Sequence, residues 1–147
     1  MTDDLKLIAL DDEDLQVLSA HVQDAVLQVA DMGLAQAERR FALMLNRFDW
    51  TSAGTRGKGR RKRAALRFEH VLAVKSAGFN PKASDGVLEL LAIRFTPSDA
   101  PAGTVTLDFA GGGSVALDVE CLEARLHDLG AAWAAKAVPA HDLADHS

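Results

Sequence analysis

Apolar residues in this chain recur at every second position over most of its length and at every third or fourth in two stretches, and the changes of period delimit the predicted elements. The run LKLIAL, Leu5–Leu10, stops at a cluster of acids and predicts a first strand. From Asp11 the sequence DDEDLQVLSAHVQDA turns helical, with Leu15, Leu18, Val22 and Ala25 at steps of three, four and three. Asp11 or Asp12 suits the N-cap, and the neighbouring carboxylates suit the positive end of the helix dipole.

From Val26 the period returns to two. VLQVADM predicts a strand, AQAE a turn, and RRFALMLNRFDW a long strand with Phe41, Leu43 and Leu45 on one side and Ala42, Met44 and Asn46 on the other. ALRFEHVLAVKSAG reads as one strand with Leu66, Phe68, His70, Leu72 and Val74 inward, and GVLELLAIRFTP as another, closed by Pro97. GTVTLDFAGGGSVALDVE gives the clearest pattern. Val105, Leu107 and Phe109 face Val115, Leu117 and Val119 across the turn Gly111–Gly113, so a hairpin with one wet face is expected.

ECLEARLHDLG places Leu122, Leu126 and Leu129 at steps of four and three before Gly130, which predicts a C-terminal helix. Residues 1–133 are expected to form a single α+β domain, and 134–147 a mobile C-terminal tail. The implied fold is a curled antiparallel sheet of about seven strands, with one helix after the first strand and one at the C-terminal end. Such a meander, capped by its last helix, would be a barrel of the pleckstrin-homology type. A flatter sheet with both helices on one face is the alternative.

Composition narrows the class. Apolar residues at 48% and charged residues at 25% are globular proportions, which argues against disorder of the whole chain. Cys121 is the only cysteine, so an internal disulfide framework and multi-cysteine metal centres are excluded. Met1–Leu10 has no basic stretch ahead of an apolar core, as a secretory signal would, and no apolar run is long enough to span a membrane. A cytoplasmic setting is expected.

Taken together and in order, LKLIALDDEDLQVLSAHVQDAV, RRFALMLNRFDW, RFEHVLAV, LLAIRF and GTVTLDFAGGGSVALDVECLEARLHDLG resemble the alphaproteobacterial family catalogued as domain of unknown function 2948, over about Leu5 to Trp133. The resemblance implies a single-domain bacterial cytoplasmic protein and supplies no activity, substrate or catalytic residue. The run Arg60–Arg63 is more basic than the family pattern requires.

Charge is segregated. The net charge is −5, yet seven of the 16 Lys and Arg residues lie between Arg56 and Arg67 with no acid among them, leaving nine against 21 acids elsewhere. The run sits in a connection of about fourteen residues, 51–64, a length at which loops are usually functional or disordered. Arg56, Lys58, Arg60, Arg61, Lys62, Arg63 and Arg67 are the candidate contacts to an anionic partner, with Trp50 at the strand end beside them. A solvated loop, or one paired with Asp11–Asp14 of the same molecule, accounts for the letters as simply.

Other motifs fail in context. Gly59 precedes Arg60 and a predicted strand where a P-loop needs Gly-Lys and a helix, and GTRG at Gly54–Gly57 lacks the flanking helices of a KH clamp. The chain has no Tyr, and most of its six Phe fall on core faces, which argues against sequence reading of RNA; Trp50, beside the basic run, is the exception, with a core or rim role favoured over base stacking. His21, His70, His127, His141 and His146 are scattered; HDLADH falls in the expected tail, and His70 reads as a hydrogen-bonded core residue. Arg47, Asp49, Glu69 and Arg94 would form an acid/base or anion site if their strands were neighbours, although rim salt bridges use the same residues.

The expected function is that of a small non-enzymatic binding or adaptor module with a protein partner, using 56–67 as an accessory anionic contact. Non-specific nucleic-acid association through the same segment is the alternative, and an enzyme around Arg47, Asp49, Glu69 and Arg94 is a third. No cofactor, metal or oligomeric state is implied.

Overall fold

In the computed structural model, which describes residues 4–49 and 61–130, buried and exposed side chains alternate through nearly every segment. Strand β1 (Lys6–Ala9) leads into helix α1 (Asp12–His21), where the carboxylate of the N-cap Asp11 accepts from the Asp14 amide and acids fill the first turn. The predicted stripe Leu15, Leu18, Val22 and Ala25 is fully buried, although the helix ends at His21, and Asp24 turns the chain at φ +68°. Ser19 ties the helix to the sheet by accepting from the Ile93 amide.

The remaining strands are β2 (Val26–Gln28), β3 (Met32–Ala35) after one 3-10 turn, β4 (Arg40–Phe48), β5 (Arg61–Phe68), β6 (Val71–Ala77), β7 (Val87–Pro97), β8 (Gly103–Phe109), β9 (Ser114–Val119) and β10 (Ala124–Asp128). Every pairing is antiparallel, in the order β1-β10-β5-β4-β2-β7-β8-β9-β6, with β3 added against β4. β7 is long enough to serve both halves of the sheet. Val87–Glu89 pair with β2, and from Leu90 the strand pairs with β8, with a register shift between Leu90 and Ala92. Inward side chains from both halves, with those of α1, make one apolar cluster, so the sheet curls around its own core.

The expected fold class is overturned. Among the described residues there are ten strands and one α-helix, not about seven strands with a C-terminal helix, and the helix that a pleckstrin-homology-type barrel requires is not there. The segment read as that helix is β10. Leu122, Ala124, Leu126 and Asp128 are buried while Glu123, Arg125 and His127 are partly exposed. Leu122 and Leu126, four apart, fit both periods; the intervening polar residues fit only two. What decides is the vacant ladder position between β1 and β5, which β10 fills.

The predicted single strand over 65–78 breaks at Glu69 and His70. His70 takes φ +60°, the chain crosses from one half of the sheet to the other, and the parity shifts by one. Val71 is therefore buried and Leu72 is 53% exposed, the reverse of the expected facing, until a bulge between Val71 and Ala73 returns Val74 to the core side as expected. His70 sits at the corner outside the core. The basic run also differs from its expected loop, since Arg61–Arg63 already belong to β5. Trp50, Arg56, Lys58, Arg60 and the expected tail lie outside the described residues.

Candidate functional site

Strand geometry sends alternate residues to opposite faces, so β5 splits the basic run in two. Ala64, Leu66 and Phe68 point into the core, while Arg61, Arg63, Ala65 and Arg67 lie on the outer face. The ladder registers extend that face sideways. Ile8, Arg125, Arg67 and Ala42 form one row across β1, β10, β5 and β4, and Lys6, His127, Ala65 and Met44 form the next. Arg63 lies opposite Asn46, Arg61 opposite Phe48, and Arg40 lies beyond Ala42 on β4. The result is a flat cationic surface floored by small and apolar side chains.

At its β5–β6 corner the surface sinks into a shallow depression of about 420 Å³ lined by Arg40, Arg67, Glu69, His70, Glu123 and Arg125. The backbone builds this corner: the Glu69 amide donates to the Glu123 carbonyl, the Glu120 amide to the His70 carbonyl, and the Val71 amide to the carbonyl of Arg39, itself at φ +53°. Arg40 Nε donates to both oxygens of Glu69 at 3.1 and 3.0 Å, and Arg67 Nε lies 3.4 Å from Glu69 Oε2. His70 Nε2 is 3.0 Å from Glu123 Oε1, and Arg125 Nε donates to Glu123 Oε2 at 3.1 Å. The hydrogen bond with His70, and then Arg125, hold the Glu123 carboxyl below its ordinary range against the opposing effect of partial burial. None of the six lining residues carries a hydroxyl or thiol. The arrangement can hold an ion among its charged side chains.

Towards the other end of β5 the cations are more fully engaged. Arg61 lies over the Phe48 ring at 5.5 Å and donates to the Asp24 carbonyl, and Arg63 approaches Asp31 at 3.7 Å. Lys62, on the inward side, pairs with the buried Asp49 at 3.3 Å. Beside it Arg47 and Asp128 form a buried bidentate pair at 2.7 and 2.8 Å, and Asp128 also accepts from the Leu5 amide. Burial pushes the Asp128 carboxyl up, but the bonds from Arg47 and Leu5 outweigh it, so its pKa lies below the ordinary value; the same pair raises that of Arg47.

The residues proposed from sequence as an acid/base constellation are thus dispersed. Arg47 and Asp49 join the buried pairs, Glu69 lies in the corner depression, and Arg94 binds Asp108 across β7 and β8 at an exposed position. Arg67, Glu69 and His70 were singled out in the sequence and do come together. Lys6, Arg40, Glu123 and Arg125 were not, although Glu123 and Arg125, two apart, share a face once that segment is read at period two.

A family model matches residues 5–141, from before β1 to beyond β10. The chain belongs to the DUF2948 family. That family is described as a protein of unknown function, and the match takes in every described strand, the outer face and the corner depression of this DUF2948 chain. No curated protein and no solved structure matches the chain. No helix among the described residues is long and apolar enough to cross a membrane.

Proposed function

We propose that this DUF2948 chain is a non-catalytic binding module that docks an acidic protein segment on the outer face of its β1–β10–β5–β4 ladder, in a cytoplasmic setting. The observation that carries the reading is the register: it aligns Arg61, Arg63 and Arg67 of β5 with Arg125 and Lys6 of neighbouring strands on one face of an otherwise acidic chain. Complementary potential of this kind steers association and selects partners more than it adds affinity. Arg56, Lys58 and Arg60 immediately precede β5 in sequence, and Trp50 precedes them.

The same basic run supports a second reading, non-specific nucleic-acid association, and one experiment separates the two. Anisotropy of labelled oligoglutamate and labelled oligothymidylate is followed across a salt series, with wild type and with Arg61→Glu/Arg63→Glu. Oligoglutamate is expected to bind at low salt, to weaken as salt rises, and to lose about tenfold or more in the variant. Tighter binding of oligothymidylate with a steep salt slope would transfer the surface to nucleic acid. Binding of neither ends both readings.

A further inference from the structure

The corner depression has donors to spare. Arg40 engages Glu69 through Nε alone, and its two terminal nitrogens make no hydrogen bond within the described residues. Arg67 makes none within the described residues: Nε is shut off from solvent, and Glu69 Oε2, 3.4 Å away, does not meet hydrogen-bond geometry. Arg125 directs Nε and one terminal nitrogen at the same Glu123 oxygen. Two glutamates thus occupy the inner edges of three guanidinium groups while terminal N–H donors of Arg40 and Arg67 remain unused. The Arg40 and Arg67 side chains are 40% and 38% exposed, so these donors are open to a ligand, and guanidinium forks match the paired oxygens of an oxyanion.

We infer that the depression formed by Arg40, Arg67 and Arg125 around Glu69 and Glu123 is an oxyanion subsite that takes one carboxylate of a protein partner. The inference rests on the docking reading above and assigns that surface its anchoring point.

Charge and shape favour a carboxylate over a nucleic-acid phosphate chain. Three arginines against two glutamates leave one positive charge, which a single carboxylate neutralises. The glutamates repel a continuous line of phosphates, and no Phe, Tyr or Trp lines the depression to stack a base. The corner is also held in an uncommon backbone state. His70 and Arg39 both have positive φ and are linked through Val71, whose amide bonds the Arg39 carbonyl, and such conformations cluster at ligand sites.

The test is a titration of the full chain, labelled with 15N at arginine, followed through the Nε–Hε resonances. Oligoglutamate, inorganic phosphate and oligothymidylate are added separately at matched ionic strength. Saturable shifts of Arg40, Arg67 and Arg125 with oligoglutamate are expected, with affinity falling about tenfold in Arg67→Gln and in Arg125→Gln. Arg94→Gln, on the other half of the sheet, is expected to bind as wild type. Unchanged affinity in both Arg67→Gln and Arg125→Gln, with loss in Arg61→Glu/Arg63→Glu, would overturn the subsite and leave the docking face standing. Stronger shifts with phosphate or oligothymidylate would overturn the carboxylate assignment, and no shift with any probe would end both. Far-ultraviolet circular dichroism of each variant confirms that it is folded, and Arg67→Lys, which keeps the charge but not the fork, is expected to recover only part of the binding.

Discussion

Asp128 is a charge removed from water, its side chain 1% exposed and that of Arg47 5%, and it is tolerated because three hydrogen-bond donors converge on its carboxylate. Its two oxygens accept from Arg47 Nε, from Arg47 Nη2 and from the Leu5 amide, while its own amide donates to the Leu5 carbonyl. Replacing Asp128 by Asn would leave the buried guanidinium uncompensated, and a loss of about 3–5 kcal/mol in urea unfolding is expected. The acid limb has a definite sign. Because the native carboxyl titrates below its ordinary value, the folded state binds fewer protons than the unfolded one across that interval. Stability from this group is complete above the ordinary aspartate value and is lost as pH falls through the lowered native one. The wild-type urea midpoint is expected to hold from neutral to about pH 5 and then fall, with a shallower acid limb in Asp128→Asn. Arg47 and Asp49 stood out in the sequence as polar residues within an apolar strand. Lys62, the partner of Asp49, stood out in the basic run, but Asp128, the partner of Arg47, did not, because pairing across 81 positions depends on register.

Elements were legible where alternation was strict and local. The β8–β9 hairpin follows from Val105, Leu107, Phe109, Val115, Leu117 and Val119, all buried as the pattern requires. Its turn contains Gly111 and Gly112 at positive φ, and a second glycine supports it: Gly78 has φ +79°, and an added Cβ would lie 2.6 Å from the Gly112 carbonyl oxygen. Gly78→Ala is expected to cost more than about 1 kcal/mol, whereas Gly33→Ala, with open space around it, should change stability by less than that; urea midpoints of the two variants check the contrast. β10 was misread because Leu122 and Leu126 satisfy two periods and a strand is stabilised by neighbours that are distant in sequence. The corner at His70 was missed for a related reason. A change of sheet needs one residue of altered parity, and a histidine carries no letter that announces a left-handed φ.

For the whole molecule, charge segregation could be read by counting, but the candidate site could not. The count grouped seven cations as a loop; strand pairing instead directs three of them outward and brings Lys6, Arg40 and Arg125 alongside from other parts of the chain. Half of the corner depression, Arg67, Glu69 and His70, falls within four successive residues, while Arg40, Glu123 and Arg125 arrive only through the ladder. Pairings such as β1 with β10 and β2 with β7 span much of the chain, so refolding is expected on a scale of roughly milliseconds to seconds rather than microseconds, which stopped-flow fluorescence would measure.

The position of β10 bears on how the protein is made. It lies between β1 and β5, so the opening strand has no hydrogen-bonded neighbour until the last described strand has been synthesised. During translation one side of β5 stays bare, and Leu5, whose amide is held by Asp128, has nothing to bind. A nascent chain halted before Ala124 would therefore display two incomplete edges at once, a state that invites chaperone capture or mispairing until β10 emerges and the gap closes.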